Sequence, residues 1–143
     1  MKKEDKELLF KDLCARLPYG VKCQFEDTVR IIDGESSPFY DYILSARHLD
    51  LFINNKDFYV KPYLRTMSSM TEEEKIYIDH KFGADNYGNI TTYSPYEGGV
   101  SEIELADIVG FQDWLNKNMF DYRGLIPKGL AIEVTKENNS YKD

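Results

Sequence analysis

Apolar side chains recur at helical spacing near the start of the chain. The stripe holds Leu9, Phe10, Leu13, Cys14 and Leu17. These positions share one face of an α-helix, and the charged residues, Asp12 among them, fall mostly on the other face. Pro18 and Gly20 then interrupt helical geometry. The pattern therefore predicts a helix over residues 4–17.

From residue 21 to about residue 60 apolar and polar positions alternate. The alternation begins at Val21, and short runs rich in β-branched and aromatic residues follow at 28–32, 39–46, 49–53 and 57–60. Such runs, separated by turn residues, are typical of an antiparallel meander. A sheet of short strands can bury its apolar face only if the sheet curls into a small barrel or if helices cover that face. The prediction is an α+β fold in which a small SH3-like barrel packs with the N-terminal helix and a C-terminal tryptophan-bearing helix.

A proline and a capping pattern mark the end of this region. Pro62 has no N–H to give to a sheet, so it is expected at an edge or at the end of the strands. Thr71 followed by Glu74 is a capping-box pattern, which predicts a helix over 72–81 that Gly83 stops. The alternation of Ile76 and Ile78 leaves a strand as the lesser alternative.

Residues 101–125 contain the only tryptophan of the chain. Phe111, Trp114, Leu115 and Met119 form a helical stripe. An unbroken helix would bring Gln112 and Asn116 into that apolar face. Either the helix bends at Gly110, which is the favoured interpretation, or the two amides are buried and hydrogen-bonded. Whether residues 101–110 begin as helix or as strand stays open.

The remaining segments are predicted to form turns, a short strand and a tail. Residues 83–100 are rich in Gly, Asn, Ser, Pro and Tyr, which predicts turns and a short hairpin with its best strand at 90–93. A glycine-bounded turn at 122–129 precedes a strand candidate at 130–134. The chain of 143 residues is expected to form one domain over 1–135, with a frayed polar tail at 136–143.

Charge is distributed unevenly along the chain. Residues 1–70 balance eleven Lys and Arg against eleven Asp and Glu, whereas residues 71–143 hold seven against fourteen, which accounts for the net charge of −7. Proteins that bind nucleic acids cluster cations against phosphates, so general nucleic-acid binding is not expected. No apolar run approaches the roughly 20 residues that span a bilayer, and no signal-peptide pattern occurs, which predicts a cytoplasmic protein without membrane contact.

Few residues suit catalysis or metal binding. Cys14 and Cys23 lack the pairings of a zinc site and are interpreted as reduced, partly or wholly buried thiols. His48 and His80 are the only histidines, and each is better interpreted as structural than as catalytic. The sequence predicts no cofactor and no metal, and His80 beside Asp79 is the weak candidate for an enzyme.

The turn Asp121-Tyr122-Arg123-Gly124 is the most prominent polar segment. In the structural interpretation, which is favoured, Arg123 caps helix carbonyls or bridges an acidic neighbour. In the functional one, Tyr122 and Arg123 face a ligand or a partner. Further candidate binding residues of the same types are Tyr63, Arg65, Tyr93 and Tyr96.

Three blocks of sequence resemble a known family. They are KDLCARLPYGVK (11–22), KPYLRTMSSMTEEEK (61–75) and WLNKNMFDYRGLIPKGLAIE (114–133). They are similar to a family of small proteins with no assigned activity from gut Bacteroidales genomes and, in part, their prophages and phages. Its members tend to have two histidines where Asn118 and Met119 stand here. The resemblance implies cytoplasmic residence and carriage on a mobile element.

Two functions follow from these features. The sequence favours a non-enzymatic interaction or accessory protein that modulates a host component, because exposed aromatic residues and an acidic half suit a protein partner. The alternative is a small-molecule or nucleotide-binding protein that uses the tyrosine-rich loop 87–97 and Arg123. The partner or ligand itself is not identified by the sequence.

Overall fold

The computed structural model describes residues 1–26, 39–90, 93–94, 99–100, 105–139 and 141. Its helices are α1 (Lys3–Arg16), α2 (Ala46–Asn54), α3 (Glu72–Phe82) and α4 (Leu105–Lys117), with 3-10 turns at Leu17–Tyr19 and Met67–Ser69. Its strands are β1 (Lys22–Glu26), β2 (Phe39–Ile43), β3 (Val60–Thr66), β4 (Tyr93–Ser94), β5 (Gly99–Val100), β6 (Phe120–Asp121) and β7 (Ile132–Glu133). The α+β class is therefore as predicted, while the predicted strand at 28–32 and the first part of the open segment 101–110, residues 101–104, lie outside the described residues.

Five of the strands form one open mixed sheet in the order β2-β1-β3-β6, with β7 also on β3. β1 runs antiparallel to β2 and β3, whereas β6 and β7 run parallel to β3. The sheet does not close, so the prediction of a barrel was wrong. The predicted meander is interrupted by a helix, and the chain returns to β3 from its C-terminal third instead.

Helix α2 replaces the strand predicted over 49–53. Leu49 and Phe52, three residues apart, are buried, whereas Ile53 is exposed. Ser45 begins the helix: its hydroxyl accepts from the His48 amide, and His48 Nδ1 accepts from the Ser45 amide at 3.0 Å. This is a capping box in which an imidazole takes the place of the usual glutamate.

Acidification is expected to weaken this cap, because its bond to the Ser45 amide requires a neutral His48 ring. Burial, with a smaller contribution from the Arg47 cation, lowers the pKa of His48 below its ordinary 6.5. The unfolded chain therefore takes up the proton first, and the free energy of unfolding decreases as the pH falls through 6.5 and below. Thermal melts of His48→Gln should lose part of this slope, whereas the exposed control His80→Gln should keep it. Equal slopes in both variants would contradict the role of His48.

The position of Pro62 in strand β3 differs from the position that the sequence predicted. Pro62 lies inside the strand, buried and opposite Cys23, so its expected place at an edge or an end was wrong. The other partners of β3 begin after Pro62: β7 pairs from Tyr63 and β6 pairs from Arg65. The sheet therefore accommodates a residue that has no N–H.

Helix α1 is confirmed, but its buried face is not the predicted one. Its buried residues are Leu9, Asp12, Leu13 and Arg16, at positions i, i+3, i+4 and i+7. Cys14 is exposed, and Cys23 in β1 is a buried free thiol. The helix therefore brings an ion pair, Asp12 with Arg16, into the interior, where the sequence pattern had placed Asp12 on the polar side.

The buried side chains of the described residues form two hydrophobic clusters. The larger lies between α1, α2 and the sheet, with Leu9, Phe25 and Leu64 among its fully buried side chains. The smaller lies between α3 and α4 around Ile78, Phe111, Leu115 and Phe120. The tryptophan-bearing helix α4 thus packs mainly on α3, while α1 and α2 cover the sheet.

Helix α4 runs without a break through Gly110, so the favoured bend was wrong. A Cβ atom at Gly110 would approach the Phe82 ring to 3.0 Å, which explains the glycine as the point where α4 meets α3. Asn116 is buried, and its Oδ1 accepts a 2.8 Å hydrogen bond from the Tyr122 hydroxyl. The alternative of a buried, hydrogen-bonded amide therefore holds for Asn116, while Gln112 is exposed.

Helix α3 is confirmed by its caps. The Thr71 hydroxyl accepts from the Glu74 amide, and the Glu74 carboxylate accepts from the Thr71 amide. Gly83 ends the helix in the left-handed region at φ 65°, which glycine adopts without strain.

In the segment that follows, β4 and β5 pair as a short hairpin, although the expected strand at 90–93 overlaps β4 only at Tyr93.

Candidate functional site

The predicted binding residues of the sheet have structural partners. Tyr63 is buried in β3, and its hydroxyl donates to the Asp41 carboxylate of β2 at 2.7 Å. Burial and this hydrogen bond raise the pKa of Tyr63 well above its ordinary value. Tyr63 therefore ties β3 to the exposed strand β2. Tyr96 and the side chain of Tyr93 lie outside the described parts of the chain.

Arg65 is held rigidly at the end of β3. Its Nη1 and Nη2 donate to both oxygens of Glu74 at 2.9 and 2.6 Å, and its guanidinium lies 4.1 Å from the centre of the Phe120 ring. Burial raises the pKa of the Glu74 carboxyl, but the bonds from Arg65 and Thr71 outweigh it and hold that pKa below its ordinary value. The bidentate pair joins the sheet to the first turn of α3.

The turn after β6 is built around buried charge. Asp121 accepts from the amides of Leu125 and Ile126, both at 2.9 Å, which fixes the turn. The Arg123 guanidinium donates to Asp12 of α1 at 2.9 Å and lies 4.5 Å from the centre of the Tyr122 ring. Arg123 thus bridges an acidic neighbour, as the structural interpretation of this turn expected.

Asp12 and Arg16 form the centre of a buried charge cluster that sequence reasoning missed. Both side chains are fully buried, and Arg16 Nε donates to Asp12 at 2.9 Å. Arg16 also donates to the carbonyl oxygen of Phe120 at 2.6 Å, whereas its Nη1 has no hydrogen-bond partner among the described residues. Because Asp12 holds Arg16 and Arg123 at once, this cluster fastens the 121–124 turn to α1 and is structural.

A small pocket opens between α3 and α4, and we call it the aromatic pocket. It has a volume of about 250 Å³ and is lined by Glu73, Glu74, Tyr77, Trp114 and Asn118. The Tyr77 and Trp114 rings stack with their centres 5.8 Å apart, and Trp114 stacks in turn on the buried Phe120 at 5.5 Å. Tyr77 is 46% exposed, although its side chain is a large aromatic ring. The pocket therefore presents the exposed Tyr77 ring and the exposed Glu73 carboxylate to solvent, while the partly buried Trp114 indole stacks on both Tyr77 and Phe120.

A wider groove lies on the other side of the Arg65–Glu74 pair, and we call it the basic groove. Its volume is about 850 Å³, and its lining residues are Tyr19, Arg65, Ser69, Thr71, Lys117, Asn118, Met119, Val134, Thr135, Lys136, Asn139 and Tyr141. None of these carries a carboxylate. One wall is the C-terminal segment, which Tyr141 anchors by donating to the Tyr63 carbonyl at 2.9 Å and accepting from the Lys22 amide at 2.9 Å.

The two depressions share a wall. Arg65 lines the basic groove, its partner Glu74 lines the aromatic pocket, and Asn118 lines both. Of the four predicted binding residues whose side chains the structure describes, only Arg65 contributes to either depression. Tyr77, Lys117 and Lys136 were missed, and the signal for Tyr77 was the weak amphipathicity of α3, which leaves large apolar side chains on its outer face.

Within the described ranges, no group of three or more His, Cys, Asp or Glu side chains could hold a metal ion. Burial raises the pKa of the Cys23 thiol well above its usual range, so this cysteine is not a reactive nucleophile. His80 and Asp79 are both exposed on α3. No helix in the described residues has the length and apolarity needed to cross a bilayer.

Comparison of this chain with protein-family models, with curated proteins and with solved structures gives no match.

Proposed function

We propose that this chain is a non-enzymatic interaction protein that binds a basic segment of a partner protein in the aromatic pocket. The observation that carries the proposal is the stacked Tyr77–Trp114 pair, in which the Tyr77 ring is exposed beside Glu73 and Glu74. An exposed aromatic ring with a carboxylate beside it is suited to a lysine or arginine side chain.

Aromatic faces attract cations through their negative quadrupole, and tryptophan does so most strongly. Here the indole of Trp114 is fixed from behind by Phe120, and Tyr77 is fixed by its edge-on contact with Phe82 at 6.2 Å. Both rings are therefore positioned before a partner arrives, which reduces the entropy lost on binding.

The carboxylates of the pocket differ in availability. Glu74 is engaged by Arg65, whereas Glu73 is exposed and makes no ion pair with any described residue. Glu73 is therefore the group that would pair with the charged head of a bound side chain. A volume of about 250 Å³ accommodates one such head group rather than a whole ligand.

The charge of the second half of the chain favours the same kind of partner. Residues 71–143 carry fourteen acidic side chains against seven basic ones. Complementary charge raises the rate at which partners meet and gives the association its salt dependence. Modulation of a host component by such binding stays a prediction.

Removal of one ring is expected to weaken this binding. A fluorescently labelled lysine- and arginine-rich peptide should bind the wild type, as measured by anisotropy at low salt. Tyr77→Ala should raise its Kd about 5- to 10-fold, since a partly desolvated cation–π contact contributes about 1 kcal/mol or more. The reason is that the cation loses the exposed aromatic ring of the pocket.

The matched control is Tyr87→Ala, because Tyr87 is 84% exposed and lies outside the pocket. This variant should bind the basic peptide like the wild type. A second control is the same peptide with glutamate in place of its basic residues, which should not bind. Equal affinity for the two peptides, or equal loss in both tyrosine variants, would overturn the proposal.

A further inference from the structure

We propose that the basic groove is a binding site for a small molecule that carries oxyanions, of the class of phosphate esters and polycarboxylates. This inference goes beyond the binding of a protein segment, because it concerns a different surface and the opposite charge. It rests on the side chains of the groove, on the fixed geometry of Arg65 and on the backbone at Met119.

Charge is the first argument. Arg65, Lys117 and Lys136 line the groove, and among the described residues none of those that line it carries a carboxylate. Lys117 and Lys136 are exposed and make no ion pair within the described residues. In a chain whose net charge is −7, most of the surface repels anions. A groove with this lining is therefore the place where an anion would bind.

The second argument is the preorganisation of Arg65. A guanidinium has five N–H donors in a planar fork, and Glu74 accepts from two of its nitrogens. The Phe120 ring 4.1 Å below the guanidinium prevents it from turning away. The pair with Glu74 cancels much of the charge, so the two lysines supply attraction while Arg65 supplies donors in a fixed direction.

The third argument is the backbone at the junction of α4 and β6. Met119 is the only non-glycine residue of the described chain with a positive φ, at 62°. This conformation costs about 1–3 kcal/mol and persists where surrounding contacts impose it, often at ligand sites. Here the Arg65 amide donates to the Met119 carbonyl at 2.7 Å. The turn places Lys117 and Asn118 in the wall of the groove.

Size and polarity agree with a small ligand. The volume of about 850 Å³ lies in the range of roughly 300–1,000 Å³ that is usual for small-molecule sites. Ser69, Thr71 and Thr135 also line the groove. The Ser69 hydroxyl donates to the Thr66 carbonyl and the Thr135 hydroxyl to Asn138, whereas the Thr71 hydroxyl accepts from the Glu74 amide and keeps a proton to donate. Such a lining suits a ligand that combines charged oxygens with hydroxyl or amide groups.

The test is calorimetric titration of the full chain with inorganic pyrophosphate and, separately, with citrate, at low ionic strength. Lys117→Gln/Lys136→Gln should raise the Kd about tenfold, as expected from the loss of two partly exposed charge-assisted bonds. The control Lys81→Gln/Lys128→Gln removes the same charge from exposed lysines outside the groove and should change the Kd less than about twofold. Tyr77→Ala should bind both anions like the wild type.

Binding of pyrophosphate alone would identify the ligand class as phosphate esters, and binding of citrate alone would identify it as polycarboxylates. Either result supports the site if the groove variant is the weaker one. No measurable binding of either anion at millimolar concentration would overturn it. Equal weakening in the two double variants would also overturn it, because binding would then follow net charge and not the groove.

Discussion

Replacement of Asp12 by asparagine is expected to lower the free energy of unfolding by about 3–5 kcal/mol. The Asp12 carboxylate accepts hydrogen bonds from the fully buried Arg16 and from Arg123. The amide keeps the size of the side chain but leaves these two guanidiniums without their counter-charge. Chemical denaturation, read by far-ultraviolet circular dichroism, measures the loss.

Two further variants separate the buried charge from the helix that carries it. Glu7→Gln changes an exposed acid of the same helix and should cost less than about 0.5 kcal/mol. Asp12→Leu/Arg16→Met removes charge of both signs and should recover much of the stability lost in Asp12→Asn, because apolar residues of similar volume often replace a buried ion pair without loss. If Asp12→Asn costs no more than Glu7→Gln, the cluster does not fasten the 121–124 turn.

Replacement of Phe120 by alanine is expected to have a cost of similar size, about 3–5 kcal/mol. The Phe120 ring is fully buried between the Trp114 indole, 5.5 Å away, and the Arg65 guanidinium, 4.1 Å away. Its removal leaves a cavity beneath the aromatic pocket and takes away the surface that fixes Arg65. Urea denaturation gives the change in stability, and the emission of Trp114 should report a changed environment.

Phe120→Leu fills most of the cavity and should cost about 1–2 kcal/mol. Tyr87→Ala truncates a ring that is 84% exposed and should have almost no effect on stability. A loss in Phe120→Ala no larger than in Tyr87→Ala would contradict this account, because the buried ring would then contribute nothing through its contacts with Trp114 and Arg65.

The helices that could be predicted are those whose signals are local. Helix α3 followed from the Thr71–Glu74 capping box and from Gly83, and the structure contains both caps. Helix α2 was mistaken for a strand because Leu49, Leu51 and Ile53 alternate. The start of α2 depends on His48, the third residue of the helix. The buried face of α2 depends on Leu49 and Phe52. Short apolar runs fit both periods, so tertiary packing decides between them.

The sheet depends on contacts that no local pattern encodes. β6 and β7 have two residues each, and they pair with β3 across more than fifty positions of sequence. Pro62 is tolerated because the pairing of β3 with β1 ends at Pro62, and its pairing with β7 begins only at Tyr63. The buried Asp12 was missed for a similar reason: its charge suggested solvent, whereas its spacing from Leu9, Leu13 and Arg16 places all four on one helical face.

The candidate site could be predicted only in part. Arg65 was singled out by residue type and does line the basic groove. Arg123 was singled out in the same way, yet it is committed to Asp12. The residues that distinguish the two depressions are common surface types, such as Tyr77, Glu73 and Lys117. Their importance comes from which side chains the fold brings beside them.

The most direct test of the proposed function uses the indole N–H of Trp114. The chain has one tryptophan, so the indole gives one resonance in a nitrogen–proton correlation spectrum. Titration with the lysine- and arginine-rich peptide should shift this resonance until the site is saturated, while the glutamate-substituted peptide should leave it in place. An indole resonance that stays fixed while the basic peptide binds would contradict the account, because the bound segment would then lie away from the Tyr77–Trp114 pair.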